Sequence, residues 1–381
     1  MEVIASWWSA TDFVYRLGLG LLTFGVLVQL YYLFRYVIRI FLYRHQPQGA
    51  PHEGVSVVIC ARNEERNLRD LIPRLMEQNH PNFELVVVDD SSWDDTADTL
   101  RAYVVRYPNL HVVHLDEDKQ RMSGKKFALT VGIKGAKHDI LLLTDADCIP
   151  ASNDWISRMT APFEDQSISV VLGVSPYGRM KGMLNRLIRF DAAQVAATYV
   201  SFALEGVPYM GVGRNLAYRK SLFFKNSGFK SHLHIASGDD DLFIGEVATA
   251  SNTAVVFEPE AQTLSAPKTT WKSWIHQKRR HFSTAPRYRT SRKIRLAMWP
   301  LSWQFMWLGA LLLLIVHSAF FIVGAALLLR YIVHFLTFSG AFRKMGLASL
   351  AYGAPIWESM IMTIHPFVWI WNQLATPRTW K

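Results

Sequence analysis

The chain has 381 residues, half of them hydrophobic, with a formal net charge of +10 and only two cysteines. That cysteine count excludes a disulfide-stapled miniature fold. The length suits one globular domain of ordinary size with further segments attached.

Leu17 to Phe34 runs eighteen residues without a charge, enough to span about 27 Å as a helix. A cleaved signal peptide is the weaker reading, because no small-residue cleavage site follows and the next flank is basic. Arg35, Arg39 and Arg44 follow the run, whereas Glu2, Asp12 and Arg16 precede it. The N-terminus is therefore expected outside and the bulk of the chain in the cytoplasm. Cys60 and Cys148 both fall in strand-like runs of that inner part, where no disulfide is expected.

Between residues 50 and 265, short apolar runs alternate with helical periodicity. "VSVVIC" precedes "EERNLRDLIPRLMEQ", "ELVVVDD" precedes "DDTADTLRAYVVRY", and "LHVVHL" precedes "KKFALTVGIKGA"; "DILLLTDAD" follows. Continuous apolar strands alternating with helices predict an α/β fold with a parallel sheet covered on both faces. In such sheets ligands bind beyond the carboxyl ends of the strands. Those ends carry Ala61, Arg62, Asn63 and Glu64, then Asp89, Asp90, Ser91 and Ser92, then Asp145-Ala146-Asp147. Two carboxylates so close repel and raise each other's pKa. A divalent cation such as Mg²⁺ or Mn²⁺ resolves the conflict, completing its shell with phosphate oxygens and water. An Asp-x-Asp tripeptide can equally be a solvated turn. Its register with two other polar strand ends favours the metal.

From Lys268 to Arg295 there are ten lysines and arginines and no acidic residue. The block is interleaved with Trp271, Trp274 and Phe282 and lies directly before apolar sequence. Nucleic-acid binding is one reading. An interfacial helix against anionic headgroups is favoured by the juxtamembrane position. Residues 296–316 and 318–338 are expected as two spanning helices joined by a very short turn. Leu347 to Trp371, with Pro355, Glu358 and Pro366, is a fourth span or a re-entrant or interfacial segment. Arg378 and Lys381 favour the latter.

Taken together, "ARNEE", "VVVDDSSWDDT", "GKKFALTVGI", "TDADC", "SGDDDLF" and "QKRRH" resemble the inverting family 2 glycosyltransferases over about residues 50–295. Within that family the chain is most similar to the membrane-bound branch that includes cellulose and hyaluronan synthases. The resemblance implies a GT-A, Rossmann-like cytoplasmic domain and a nucleotide-sugar donor, usually a UDP-sugar. Asp89 or Asp90 would contact the uracil or ribose, Ala61, Arg62, Asn63 and Glu64 would shape the pocket, and Lys125 would be its lysine. Asp145 and Asp147 would hold the metal bridging the diphosphate, Asp147 being the favoured direct ligand. Asp239 would be the general base that deprotonates the acceptor hydroxyl, with Asp240 as alternative. The three aspartates also suit the start of the following helix. Gln277 and Arg280, with Arg279 a further candidate, would lie across the acceptor and diphosphate site and offset leaving-group charge. His281 stands where the family has a tryptophan, and Trp271 or Trp274 is a candidate replacement for its stacking face. Arg214 and Asn215 match a loop near the acceptor.

Four regions are thus expected: residues 1–49 as a transmembrane helix and basic flank, 50–265 as the GT-A domain, 266–295 as the basic interfacial segment, and 296–381 as C-terminal transmembrane or interfacial helices. The expected protein is an integral membrane enzyme, placed by its simple topology in a bacterial inner membrane. Its partners are membrane lipids, the donor, and a lipid, lipid-linked or glycan acceptor, without nucleic acid. A processive polysaccharide synthase and a catalytically silent membrane subunit are the competing readings.

Overall fold

The structure, a computed structural model, describes residues 2–44, 53–116, 124–235, 237–317 and 319–374. Helix α1 (Glu2–Tyr32) passes through one π-helical turn, Leu33–Val37, into α2 (Ile38–Leu42). The apolar run is therefore only the middle of a longer rod. Arg35 and Arg39, expected as a flank, lie inside it, and both guanidiniums pair with Glu205.

Four parallel strands follow: β1 (Val55–Ala61), β2 (Phe83–Asp90), β3 (Leu110–Leu115) and β4 (Ile140–Leu143). Between them lie α3 (Glu65–Met76), α4 (Thr96–Arg106) and α5 (Lys125–Gly135). Alternate residues serve opposite faces. Val57, Ile59, Leu85, Val87 and Leu142 pack with α3 and with α6 (Trp155–Thr160). Val58, Val86, Leu141 and Leu143 pack with α5, α2 and the long α7 (Met183–Leu204). With both faces covered, these strands read as unbroken apolar runs.

Beyond β4 the expected parallel order fails. The remaining strands are β5 (Cys148–Pro150), β6 (Val170–Leu172), β7 (Leu216–Arg219), β8 (Thr253–Val255) and β9 (Thr263–Ser265). The main sheet runs β3-β2-β1-β4-β7-β6-β8, and β7 is antiparallel to both β4 and β6. No crossover is needed to reach an antiparallel neighbour, so β7 can return directly after α7. Its register sets Leu216 against Leu143, bringing the loop Gly211–Asn215 to the carboxyl end of β4. Cys148 leaves the main sheet altogether, since β5 pairs with β9 in a separate two-stranded ribbon.

Two short helices, α8 (Lys220–Lys225) and α9 (Asp241–Val247), complete this unit, and α10 (Trp271–Phe282) leads out of it. Then come α11 (Thr290–His317), α12 (Phe320–Lys344) and α13 (Ala354–Leu374). Among the described residues, three helical stretches are long and apolar enough to cross a membrane: Asp12–Leu42, Thr290–Ile315 and Phe320–Lys344. The last two fall where the C-terminal spans were expected, with shifted bounds. Helix α13 packs instead against α7 and α10; Arg378 and Lys381 lie outside the described residues.

Glycines let α1 and α11 approach closely. A Cβ on Gly25 would fall 2.6 Å from the Met306 nitrogen, and one on Gly309 would meet the Leu22 backbone. Small residues at such crossings are the usual means of close helix packing in lipid. Nearby, Arg330 donates to both oxygens of Glu358 at 2.6 Å and to Gln29 Oε1 at 2.6 Å. Gln29 Nε2 in turn donates to Trp299 O and Ser302 Oγ, each at 2.8 Å. Gln29, Ser302, Arg330 and Glu358 are fully buried.

Candidate active site

The carboxyl ends of β1, β2 and β4 and the loop before β7 enclose a polar cleft. Lys125, the first residue of α5, stands at its centre. Its ammonium lies 2.8 Å from Asp145 Oδ1 and 3.0 Å from Asp239 Oδ2. Burial works against that charge, but the carboxylates outweigh it and hold the lysine well above its ordinary pKa. Burial alone would raise the Asp239 carboxyl. Lys125 reverses this, leaving its pKa lowered and the group ionised.

Asp145, Asp147 and Cys148 each bring a possible ligand atom within 4.8 Å of the others. Burial pushes the Asp147 carboxyl up, and repulsion from Asp145 and Glu64 adds to it. Two crowded carboxylates, one burdened by desolvation, form the hard-oxygen donor set that suits Mg²⁺ or Mn²⁺. Cys148 is poorly matched to that task. Burial raises its thiol far above the usual range, so it stays protonated, with Sγ 3.0 Å from Ser265 Oγ.

The three consecutive aspartates divide their work. Asp240 spends both oxygens on backbone: Gly213 N donates to one at 2.8 Å and Asp241 N to the other at 2.7 Å, capping α9. Burial, then Asp239, pushes its carboxyl up to about 7. Asp241 turns away and accepts from the hydroxyls of Thr284 at 2.5 Å and Tyr288 at 2.6 Å. Asp239 alone faces Lys125 across the cleft.

On the far side, Asn63 and Ser91 each adopt φ near 57° at a strand end. Left-handed backbone is uncommon outside glycine, although asparagine tolerates it better than serine, and such residues cluster where a site is shaped. Asn63 N donates to Ser92 Oγ and Trp93 N donates to Asn63 Oδ1, both at 2.9 Å, tying the two turns together. Glu64 N donates to Thr96 Oγ1 at 2.9 Å. Ala61 is buried in the core beneath them, and Arg62 is half-buried. The two β2 aspartates point to opposite faces. Asp89 is engaged by His114 Nδ1 at 3.0 Å and by Ser92 N at 3.2 Å, and Asp90 is buried at the strand end.

Helix α10 is linked to the loop before β7 through Tyr177. Gln277 Nε2 donates to Tyr177 Oη at 3.0 Å, and the Arg214 guanidinium sits 4.6 Å above the Tyr177 ring. Arg214 also donates to Ser265 Oγ at 2.8 Å, beside Cys148. Lys278 pairs with Asp191 of α7, and His365 Nε2 of α13 lies 3.4 Å from the same carboxylate. Arg280 occupies the last turn of α10. Arg279 points elsewhere, stacking 4.3 Å from the Trp371 ring. Trp274 is 1% exposed and belongs to the core, so it offers no open stacking face; Trp271, 39% exposed, packs edge-on against it. Asn215 is likewise structural, bonded through its amide to Val174 O, Ala261 O and Trp155 Nε1.

Sequence reasoning missed Asp191, Tyr177, Ser265 and Lys126. Lys126 is buried and donates to His232 O at 2.7 Å and Ile235 O at 3.1 Å, holding the turn that leads to Asp239. The signal for Asp191 was available: it is the single acidic residue of the 22-residue α7.

Residues 56–225 match the family described as Glycosyl transferase family 2. Among curated proteins, the chain is 26% identical over 234 residues to "Probable glycosyltransferase YdaM" of Bacillus subtilis (strain 168), covering 59% of this chain and 54% of that one. It is 29% identical over 130 residues to "4,4'-diaponeurosporenoate glycosyltransferase" of Staphylococcus haemolyticus, covering 34% of each. The chain thus spans about half or less of the length of these relatives. Among solved structures, a mannosyltransferase from Pyrobaculum calidifontis, in complex with GDP-Man and Mn²⁺, superposes with a TM-score of 0.59 at 20% identity. That likeness covers 91% of this chain and 99% of the other.

Proposed function

We propose, from the premise that residues 56–225 are a family 2 glycosyltransferase domain of GT-A fold, that the chain is a membrane-anchored enzyme. It transfers a single sugar, with inversion, from a nucleotide-sugar donor to a lipid, lipid-linked or glycan acceptor held at the bilayer. The observation that carries this reading is the Lys125 bridge, which sets a carboxylate of the metal pair and an ionised carboxylate of α9's leading turn on either side of one cation. A sugar diphosphate bound between them would have its phosphates toward Asp145 and its C1 toward Asp239.

Asp145 and Asp147 would hold Mg²⁺ or Mn²⁺, which when bound supplies positive charge to the diphosphate. Asn63, Glu64 and the buried Asp90 would frame the nucleoside, with Asp89 setting the shape of the turn beside it. Asp239 would take the acceptor hydroxyl's proton as the oxygen attacks C1 opposite the leaving phosphate. Asp240 would hold the loop at Gly213 in place. Lys125 and Arg280 would offset the charge left on the departing nucleoside diphosphate, and Gln277 would fix that edge through Tyr177. The three apolar helices and the packed α13 keep the cleft at the membrane, where such acceptors are confined. We place the enzyme in a bacterial inner membrane with the catalytic unit on the cytoplasmic side, the side that the arginines after the first apolar run favour.

The test is release of nucleoside diphosphate from a panel of UDP- and GDP-sugars by detergent-purified protein, with Mn²⁺, with Mg²⁺ and with EDTA. Turnover of one donor that EDTA abolishes is expected. No turnover together with no metal-dependent nucleotide binding would overturn the proposal in favour of a silent subunit. A ladder of product sizes would replace single transfer by a processive synthase.

A further inference from the structure

A second cavity, of about 210 Å³, lies behind the Asp239–Asp241 turn. Its walls are α9, the turn at residues 231–235, and the segment from Arg287 to Arg292 that runs into α11. Arg287 and Arg289, both exposed, and the half-buried Arg292 are among its lining residues. Two carboxylates share the wall, and both have local donors. Asp241 accepts from Thr284 and Tyr288, while Glu246 accepts from Asn226 at 3.0 Å and Ser231 at 2.6 Å. Burial also pushes the Asp241 carboxyl up, toward its neutral form. Arg292 is held by the Gly245 carbonyl. Among the described residues, neither Arg287 nor Arg289 has an ion-pair partner. The cavity therefore carries a surplus of positive charge on two uncommitted guanidiniums.

Its size admits the ligand. One water needs only ~10–15 Å³ on this scale, so about 210 Å³ has room for a phosphate with a short stem. Location supplies the rest: Thr290, between the arginines, begins one of the helices apolar enough to cross a membrane. We infer that this cavity binds the phosphate of a membrane lipid, held by Arg287 and Arg289. Guanidinium forks match phosphate oxygens two at a time, and basic pockets at the cytoplasmic ends of spanning helices are suited to lipid headgroups. The membrane placement rests on the proposed function. The lipid is either the acceptor itself or a bilayer phospholipid.

The experiment titrates full-length detergent-purified protein with decyl phosphate, with decanol as the uncharged control. Wild type should bind decyl phosphate at least tenfold more tightly than the Arg287→Gln/Arg289→Gln variant, while Mn²⁺-dependent nucleotide binding is equal in both. Arg287→Lys/Arg289→Lys should recover part of the affinity, which a folding defect would not allow. Equal affinity in wild type and the glutamine variant, or binding of decanol as tight as decyl phosphate, would overturn the inference. Glycosylation of decyl phosphate in a donor-fed reaction, lost in the Arg287→Gln/Arg289→Gln variant, identifies the acceptor's phosphate. Displacement by phosphatidylglycerol without such a product identifies a bilayer headgroup; both uphold a lipid-phosphate site. Arginine-dependent binding with neither turnover of any donor nor metal-dependent nucleotide binding would sink the proposed enzyme and leave this site standing.

Discussion

Replacing Lys278 by methionine tests whether α10 is held by the pair it makes with Asp191. The Asp191 side chain is 3% exposed and that of Lys278 11%, so methionine keeps the apolar stem and removes only the cation. Asp191 is then left with His365 at 3.4 Å as its remaining partner. Stranding one member of a buried pair costs about 3–5 kcal/mol. Burial lowers the His365 pKa to about 4, and among the described residues its Nε2 makes no hydrogen bond, so it stays neutral and does not replace the cation. At roughly 2–4 °C per kcal/mol for a unit of this size, the melting temperature should fall by about 6–20 °C. Removing both charges in Lys278→Met/Asp191→Leu should return it to within about 1 kcal/mol of wild type, because an apolar pair of similar volume needs no desolvation. The assay is tryptophan-fluorescence melting of detergent-solubilised protein at one fixed scan rate. A fall of less than about 2 °C for the single variant, or a double variant no more stable than it, would refute the reasoning.

Asp239→Asn should lower sugar transfer by about 10²–10⁴-fold, the usual range for a lost general base, with Mn²⁺-dependent nucleotide binding retained; a loss below tenfold would reassign the base. Mn²⁺ should raise the melting temperature of wild type and not of Asp147→Asn, and EDTA should reverse the shift. The Asp240 carboxyl is raised from its ordinary value of 3.8 to about 7, so between these pH values the folded state binds the proton that the unfolded state has released. Its contribution is therefore most favourable at low pH and declines as pH rises through that window. Chemical denaturation at stepped pH should show a shallower decline for Asp240→Asn, and an equal decline would contradict the assignment.

Where the chain repeats one strand-and-helix unit, its pattern was legible, because seven-residue β1 and eight-residue β2 are buried on both faces and read as unbroken apolar runs. The short strands were not. β5, β6, β8 and β9 have three residues each, too few for any period to register, and the reversed direction of β7 is decided by which loop can reach β4. The cleft followed the same divide. Asp145, Asp147 and Asp239 stand out as charges at strand and helix boundaries. The partition of labour between Asp239 and Asp240 depends on which carboxylate meets Gly213 N, a contact between segments 27 residues apart. Trp274 shows the opposite hazard, since an aromatic beside a basic run can as readily be core.

Gln29 and the glycine-notched face of α1 set an order of assembly. The partners of Gln29 are Trp299, Ser302 and Arg330, and the backbone that Gly25 admits is that of Met306. The earliest of these emerges roughly 270 residues after Gln29, an interval on the order of tens of seconds at ~5–20 residues per second. Throughout that interval α1 is half of a joint, with a polar amide whose protein partners have not yet been made. The catalytic unit is synthesised inside the gap and, as domains generally do, folds before the joint shuts. Insertion of α11 is then the step that closes the joint, and a ribosome halted before residue 299 would leave an assembled cleft tied to its anchor through Glu205 and the packing of α2 on α7.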